Sequence, residues 1–342
     1  AYAQVLDKEE PLLGGIRGLG IDYNGWQAKS WPLAEHLHPT NWVARTSREV
    51  IAESNDNRAL FLTTSFFAPH PPLIPPEFYY RRYLEMDLPD KAVGDWADPS
   101  SVKYGVDSAR VNLEGEKLRT TRAAYFGLIN HLDDQLTWLI REFVGKSRNQ
   151  KRPWVILFTS DHGEMLGDHY YFRKCEPFEG SCRIPFLIHS EGLGQQSNNT
   201  IDSPVCLEDI LPTLLDFAGV SVPDQVDGVS LAPLLRGESE SVRRWLHCEH
   251  SPCYSDEQAF QMVTDGVWKY VWRPMTGNEL LFDLRNDPKE LVNMAGRSSA
   301  GAKLEECRTE LVDRLRSRPE GFVIDDKLTV LMSSYPPVIE QN

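Results

Sequence analysis

The chain has 342 residues, 41% of them hydrophobic and 25% charged, ordinary globular composition with length enough for one large or two unequal domains. Its 50 acidic and 36 basic residues give a formal charge of -14, which repels polyanions and argues against a nucleic-acid partner. No apolar stretch reaches the ~18 residues a membrane span needs, so none is expected. The six cysteines (Cys175, Cys182, Cys206, Cys248, Cys253 and Cys307) are too widely spread for a zinc module. They read as partly buried free thiols, with one disulfide among them left open. The opening AYAQVLDKEEPLLGG has neither a charged start nor an apolar run and does not read as a signal peptide.

Residues 1–40 are rich in Gly, Pro and Trp and read as loop with short helices. Asn41 is placed as the cap of a helix running to Ser54, with Val43, Val50 and Ile51 as its apolar stripe. The run Ala59–Phe66 has the character of a buried strand, stopped by Pro69-His70-Pro71-Pro72. Residues 73–117 read as an irregular acidic excursion. A long helix is predicted over 118–144, where Phe126, Ile129, Leu132, Leu136, Leu139, Ile140 and Phe143 recur at three- and four-residue steps and Gly145 ends it. Trp154–Thr159 is predicted as a second buried strand and Ile184–Ile188 as a third, set at an edge by Pro185. A helix follows from Asp209, with Pro212 in its first turn and Gly219 at its close. Strand–helix alternation to this point indicates α/β architecture. Beyond it come short strands at Phe260–Val263, Trp268–Trp272 and Leu280–Leu284. A helix then carries Leu304, Cys307, Leu311 and Leu315 on one face. The expected domains are 1–240, of α/β type, and 241–342, a smaller α+β subdomain with an antiparallel sheet.

Chemistry concentrates where the second strand ends, in Thr159-Ser160-Asp161-His162-Gly163. Ligands of open α/β sheets bind outside the carboxyl ends of strands. A carboxylate and an imidazole that converge in a turn suit a divalent cation. The competing reading is a simple turn in which Asp161 caps its own backbone. His70, held between prolines, is a candidate donor to an anionic oxygen or a proton-transfer group. Lys174 could balance a bound anion. An exposed surface lysine is the commoner outcome.

Together these passages resemble the sulfatase family, within the wider alkaline-phosphatase-like hydrolases. The most specific segment is LFTSDHGEMLGDHYYFRKCEPFEGSCRIPFLIHS, residues 157–190, with FLTTSFFAPHPP before it. TTRAAYFGLINHLDDQLTWLI, VCLEDILPTLLDFAGVSVPDQVDGVSLAPLLRGE and DGVWKYVWRPMTGNELLFDLRNDPKELVNMA fit in the same order. The resemblance implies an α/β/α sandwich around a mixed sheet, and metal-dependent hydrolysis of a sulfate monoester. It makes Asp161 and His162 ligands of one divalent cation, usually calcium. Lys174 becomes a sulfate contact, and His70 a sulfate contact that protonates the leaving oxygen. His169 and His250 are expected at the substrate, a sulfated small molecule or carbohydrate, with His247 and Tyr254 as further cleft-facing candidates.

The sequence departs from the family at its amino end, where neither the adjacent metal-binding Asp-Asp nor the Lys-x-His of the family occurs. The pattern Cys/Ser-x-Pro/Ala-x-Arg, whose first residue matures to formylglycine, occurs at none of the six cysteines. The expectation is therefore a carboxy-terminal portion whose fold lacks its amino-terminal part, with formylglycine confined to a missing segment. On that reading the chain alone is inactive, and a companion amino-terminal chain or a homo-oligomer completes it. A phosphonate or phosphate ester hydrolase and a non-catalytic sulfatase-like protein are the alternatives.

Overall fold

The structure is a computed structural model and describes residues 2–13, 15–54, 57–196, 200–253 and 255–335; Tyr254 lies outside them. It divides into two compact units. One comprises Ala1–Lys91, Asp98–Trp154 and Met165–Arg173, the other Ala92–Ala97, Val155–Glu164 and Lys174–Asn342.

The first unit is helical. It contains α1 (Tyr2–Glu9), α2 (Pro39–Glu53), α3 (Glu77–Leu84) and α4 (Gly115–Asn149). His38, not Asn41, caps α2: its Nδ1 accepts from the Thr40 N–H at 3.2 Å, and Pro39 occupies the first turn, where a missing N–H is harmless. Lys146 of α4 seals the other end of α2, donating to the carbonyls of Ile51 at 2.7 Å and Ser54 at 2.8 Å. A cation there opposes the negative end of the helix dipole. Gly127 lets α3 close onto α4, because a Cβ would lie 3.2 Å from the Tyr79 carbonyl. The buried face of α4 runs through Thr121, Ala124, Leu128, His131, Leu132 and Leu139, while Ile129, Trp138 and Ile140 are exposed. The expected stripe is thus rotated, since small residues let the neighbouring helix approach on the other side. The core gathers Leu73, Tyr80, Val111, Leu113, Leu118, Leu128, Leu166 and Phe172.

The expected strand over residues 59–66 is extended chain with no strand partner among the described residues, and Phe61 is 79% exposed. Period-two burial shows which way side chains face but supplies no neighbour for the backbone groups.

The second unit contains β1 (Trp154–Thr159) from Val155 onward, α5 (Glu179–Cys182), β2 (Phe186–Glu191), α6 (Ile210–Phe217) and α7 (Ala232–Leu235). β1 pairs with β2 as a two-stranded sheet. Then come β3 (Leu246–His250), β4 (Phe260–Thr264), β5 (Trp268–Trp272) and β6 (Glu279–Asp283), followed by α8 (Gly301–Leu315) and the small hairpin β7 (Val323–Ile324) and β8 (Lys327–Leu328). Strands β3 to β6 form an antiparallel meander in sequential order. One of its faces packs Tyr270, Trp272 and Leu281 against Leu304, Cys307, Leu311 and Leu315 of α8. The other gathers Phe260, Met262 and Val271 with Cys182, Cys248 and Leu280. All six cysteines are free. Among the described residues no helix is long and apolar enough to cross a membrane.

Candidate active site

Where β1 ends, Thr159 Oγ1 donates to the Pro185 carbonyl at 2.9 Å and Ser160 Oγ to the His162 carbonyl at 2.7 Å. The backbone therefore turns at once. Asp161 uses Oδ1 to accept the His162 N–H at 3.0 Å, as the turn reading requires. Its other oxygen, Oδ2, stands 3.7 Å from His162 Nε2. His162 Nδ1 lies 2.8 Å from the Gly163 carbonyl. A carbonyl only accepts, so Nδ1 carries a hydrogen and Nε2 is the ring nitrogen on the side of Asp161. The turn thus brings Asp161 Oδ2 and His162 Nε2 close to one another.

Gly163 is required by a close approach. Its N–H donates to the Ser181 carbonyl at 2.7 Å, and a Cβ would lie 2.2 Å from the Gly180 carbonyl. The strand-end turn therefore rests directly on α5.

Lys174 and His250 belong to the same unit as this pair, whereas His70 and His169 belong to the other. Lys174 is half-buried between Arg173 and Cys175, both with left-handed backbone (φ 73° and 71°). Such non-glycine conformations cost ~1–3 kcal/mol each and persist only where their surroundings enforce them. His70 and His250 repeat the tautomer device of His162, their Nδ1 atoms lying 2.7 Å and 2.5 Å from the carbonyls of Pro71 and Ser251. His250 also stacks on Phe260. His169 is buried in a left-handed position (φ 52°), on a loop tied to Arg122, which donates to Asp168 at 2.6 Å and to the Leu166 carbonyl. His247 bonds Gln261 at 2.8 Å and serves the sheet, its pKa lowered by burial.

Asp161 and His162 supply two donor atoms, whereas calcium takes roughly six to eight oxygen ligands. Among the described residues no group of three or more His, Cys, Asp or Glu side chains is placed to hold a metal ion. The calcium expectation is corrected on that donor count.

Sequence reasoning missed Lys269, whose ammonium is fully buried beside Glu179 and Glu290. The signal was present in Trp268-Lys269-Tyr270-Val271-Trp272, where alternation puts Lys269 on the same face as Val271.

The fold is that of the alkaline-phosphatase-like sulfatases and phosphonate hydrolases. It covers 93% of this chain and 69% of the phosphonate monoester hydrolase of Agrobacterium radiobacter, with a TM-score of 0.75 and 26% sequence identity. The sulfatase family model matches residues 21–220, and the model for the C-terminal region of N-sulphoglucosamine sulphohydrolase matches 167–318. The chain belongs to the sulfatase family. It is 37% identical over 325 residues to an arylsulfatase of Clostridium perfringens, covering 93% of this chain and 66% of that protein. It is 31% identical over 295 residues to a choline-sulfatase of Rhizobium meliloti, covering 83% of this chain and 55% of that protein.

These matches correct the expectation of a carboxy-terminal portion. Both the sulfatase domain and the C-terminal domain of the family are represented, and the fold match extends over nearly the whole chain. They count against the expectations of a truncated chain, of a missing amino-terminal fold segment holding the formylglycine, and of the inactivity drawn from them; the chain spans 66% and 55% of the lengths of these two relatives. That expectation rested on short patterns near the amino end, whereas the family match is distributed over residues 21–220.

Proposed function

We propose that the protein hydrolyses sulfate monoesters, with Asp161 and His162 as the paired donors of its site and Lys174 as the cation that meets the sulfate oxygens. The observation that carries this reading is the 3.7 Å approach of Asp161 Oδ2 and His162 Nε2 at the end of β1. Two acceptors so close repel unless a proton or positive charge lies against them, so the pair is suited to handling charge during ester cleavage. Lys174 offsets negative charge on the transferred group. His70 is proposed to protonate the leaving oxygen, through Nε2, since Nδ1–H is engaged by Pro71. His169 and His250 are proposed as contacts to the alcohol, a sulfated small molecule or carbohydrate. These roles include no nucleophile. On the same reading residues 1–240 form the catalytic-type domain and 241–342 the smaller subdomain.

A phosphonate monoester is the second reading, favoured by the fold match to the Agrobacterium radiobacter enzyme. Initial rates on 4-nitrophenyl sulfate and on 4-nitrophenyl phenylphosphonate separate the two. The sulfate reading expects the higher kcat/KM on the sulfate, and a His162→Ala variant at least ~100-fold slower on it. Higher kcat/KM on the phosphonate would transfer the assignment. An unaffected His162→Ala would remove the pair from the chemistry.

A further inference from the structure

Lys269 lies on the meander sheet, yet its ammonium ends among residues of the segment beneath the strand-end turn. Its three N–H groups are all taken: Pro177 carbonyl at 2.9 Å, Glu179 Oε1 at 2.6 Å and Glu290 Oε1 at 2.8 Å. Cys182 Sγ stands 3.6 Å away. Glu290 completes the frame with its second oxygen, which accepts the Glu179 N–H at 2.8 Å, the first amide of α5. Glu290 is itself buried and left-handed (φ 55°), and its carbonyl accepts from Trp96 Nε1 at 2.7 Å. Trp96 stacks in turn on Phe178, ring centroids 4.4 Å apart. A four-residue helical turn too short to be stable alone is thereby held at its first amide, at a side chain and at the preceding carbonyl.

From α5 the contacts lead straight to the candidate site. The Ser181 carbonyl accepts the Gly163 N–H at 2.7 Å, and the Gly180 carbonyl sits where a Gly163 Cβ would be. Gly163 adjoins His162 and accepts its Nδ1–H. A displacement of α5 must therefore move the carbonyl that fixes the imidazole, or break the bond to Gly163.

We propose that Lys269, clamped by Glu179 and Glu290, is a positioning residue for the Asp161–His162 pair, acting through α5 and the Gly163 amide. Electrostatics agree with the geometry. Burial alone would lower the Lys269 pKa, but Cys182, Glu290 and Glu179 together raise it. The ammonium therefore stays charged at neutral pH. The inference rests on the hydrolase reading only for the word positioning; the mechanical link from Lys269 to Gly163 stands apart from it.

The test is a Lys269→Met/Glu290→Gln double variant, which removes the buried cation together with its most buried partner so that neither charge is stranded. Glu179, at the rim, keeps Arg183 at 3.4 Å. Two readouts are compared with wild type after circular dichroism has established that the variant folds. Amide exchange followed by NMR should quicken at Gly163 by about tenfold while Val263, in the β3–β4 ladder, stays within about twofold. Steady-state kinetics on 4-nitrophenyl sulfate should give a kcat about tenfold lower with KM within about threefold, the signature of misplacement rather than lost binding. Unchanged Gly163 exchange in the folded variant overturns the link. Unchanged kcat alongside faster exchange overturns the positioning role. If the double variant fails to fold, Glu179→Gln, which removes one arm of the clamp, is judged by the same two criteria. A wild-type protein that releases no 4-nitrophenolate sinks the hydrolase reading alone and leaves the exchange comparison to decide the rest.

Discussion

Two fully buried basic side chains, one in each unit, are treated in opposite ways. In the second unit Lys269 is enclosed with two carboxylates and a carbonyl, and every donor it has is used. In the first unit His131 of α4 is equally enclosed, and among the described residues neither ring nitrogen has a hydrogen-bond partner. Its neighbours are the rings of His38 at 4.7 Å and Tyr79 at 5.0 Å, while the Glu35 carboxylate stays 3.7 Å from Nε2. Burial lowers the His131 pKa to about 4, with Asp134 pulling it back. Burial, then His131, lowers that of His38 to about 3, against a backbone bond to Ile74. Burial is the leading influence on all three groups. Partners decide whether the charge survives.

The largest effect that can break this contrast is loss of the lysine alone. Lys269→Met strands Glu179 and Glu290 and should destabilise the protein by about 3–5 kcal/mol in urea unfolding. Burial already raises the Glu290 carboxyl, an effect Lys269 only partly reverses. A loss below 1 kcal/mol would mean that water replaces the lysine freely.

Next in size is acidification of the histidine cluster. A histidine whose folded pKa is depressed takes up its proton in the unfolded state first, so its stabilising neutrality is complete above the unfolded value of about 6.5. It is lost as pH falls toward the folded value of about 4 for His131. The shift corresponds to about 3 kcal/mol for that residue. His131→Phe should flatten the stability profile over this window, leaving the variant about 2 kcal/mol better off against wild type at pH ~5 than at pH ~7.5. Parallel profiles for the two proteins would show that the proton goes elsewhere.

The smallest effect sharpens the comparison at intermediate burial. Arg308 bonds both Glu279 oxygens, and Glu279 accepts from the Tyr270 hydroxyl at 2.5 Å. With Arg308 about one-third exposed, Arg308→Met should cost about 1 kcal/mol, since solvent screens what is removed. An effect as large as that of Lys269→Met would show that burial is not what separates the two networks.

Much of the second unit was legible because alternation and helical period act locally. Trp154–Thr159, Phe260–Val263, Trp268–Trp272 and the Leu304–Leu315 face all fall within observed elements. β3 was not predicted, because Leu246-His247-Cys248-Glu249-His250 is too polar to announce a strand and owes its place to pairing with β4. α3 was hidden in a stretch read as irregular. Glu77 in its first turn and Arg81 and Arg82 in its last could have revealed it, as charges matched to the helix dipole. Residues 59–66 mislead in the other direction, since burial pattern carries no information on whether a partner strand exists. At the candidate site Asp161 and His162 were visible as a pair because they are adjacent in sequence. The support beneath them was not, because Lys269, Glu179 and Glu290 meet only through the fold.

The most direct measurement is the rate of 4-nitrophenolate release from 4-nitrophenyl sulfate by the wild-type protein and by Asp161→Asn, with thermal unfolding of both recorded alongside. The account predicts wild-type turnover, and a variant of equal thermal stability whose kcat/KM is lower by about two orders of magnitude. Equal rates in the two proteins would contradict it.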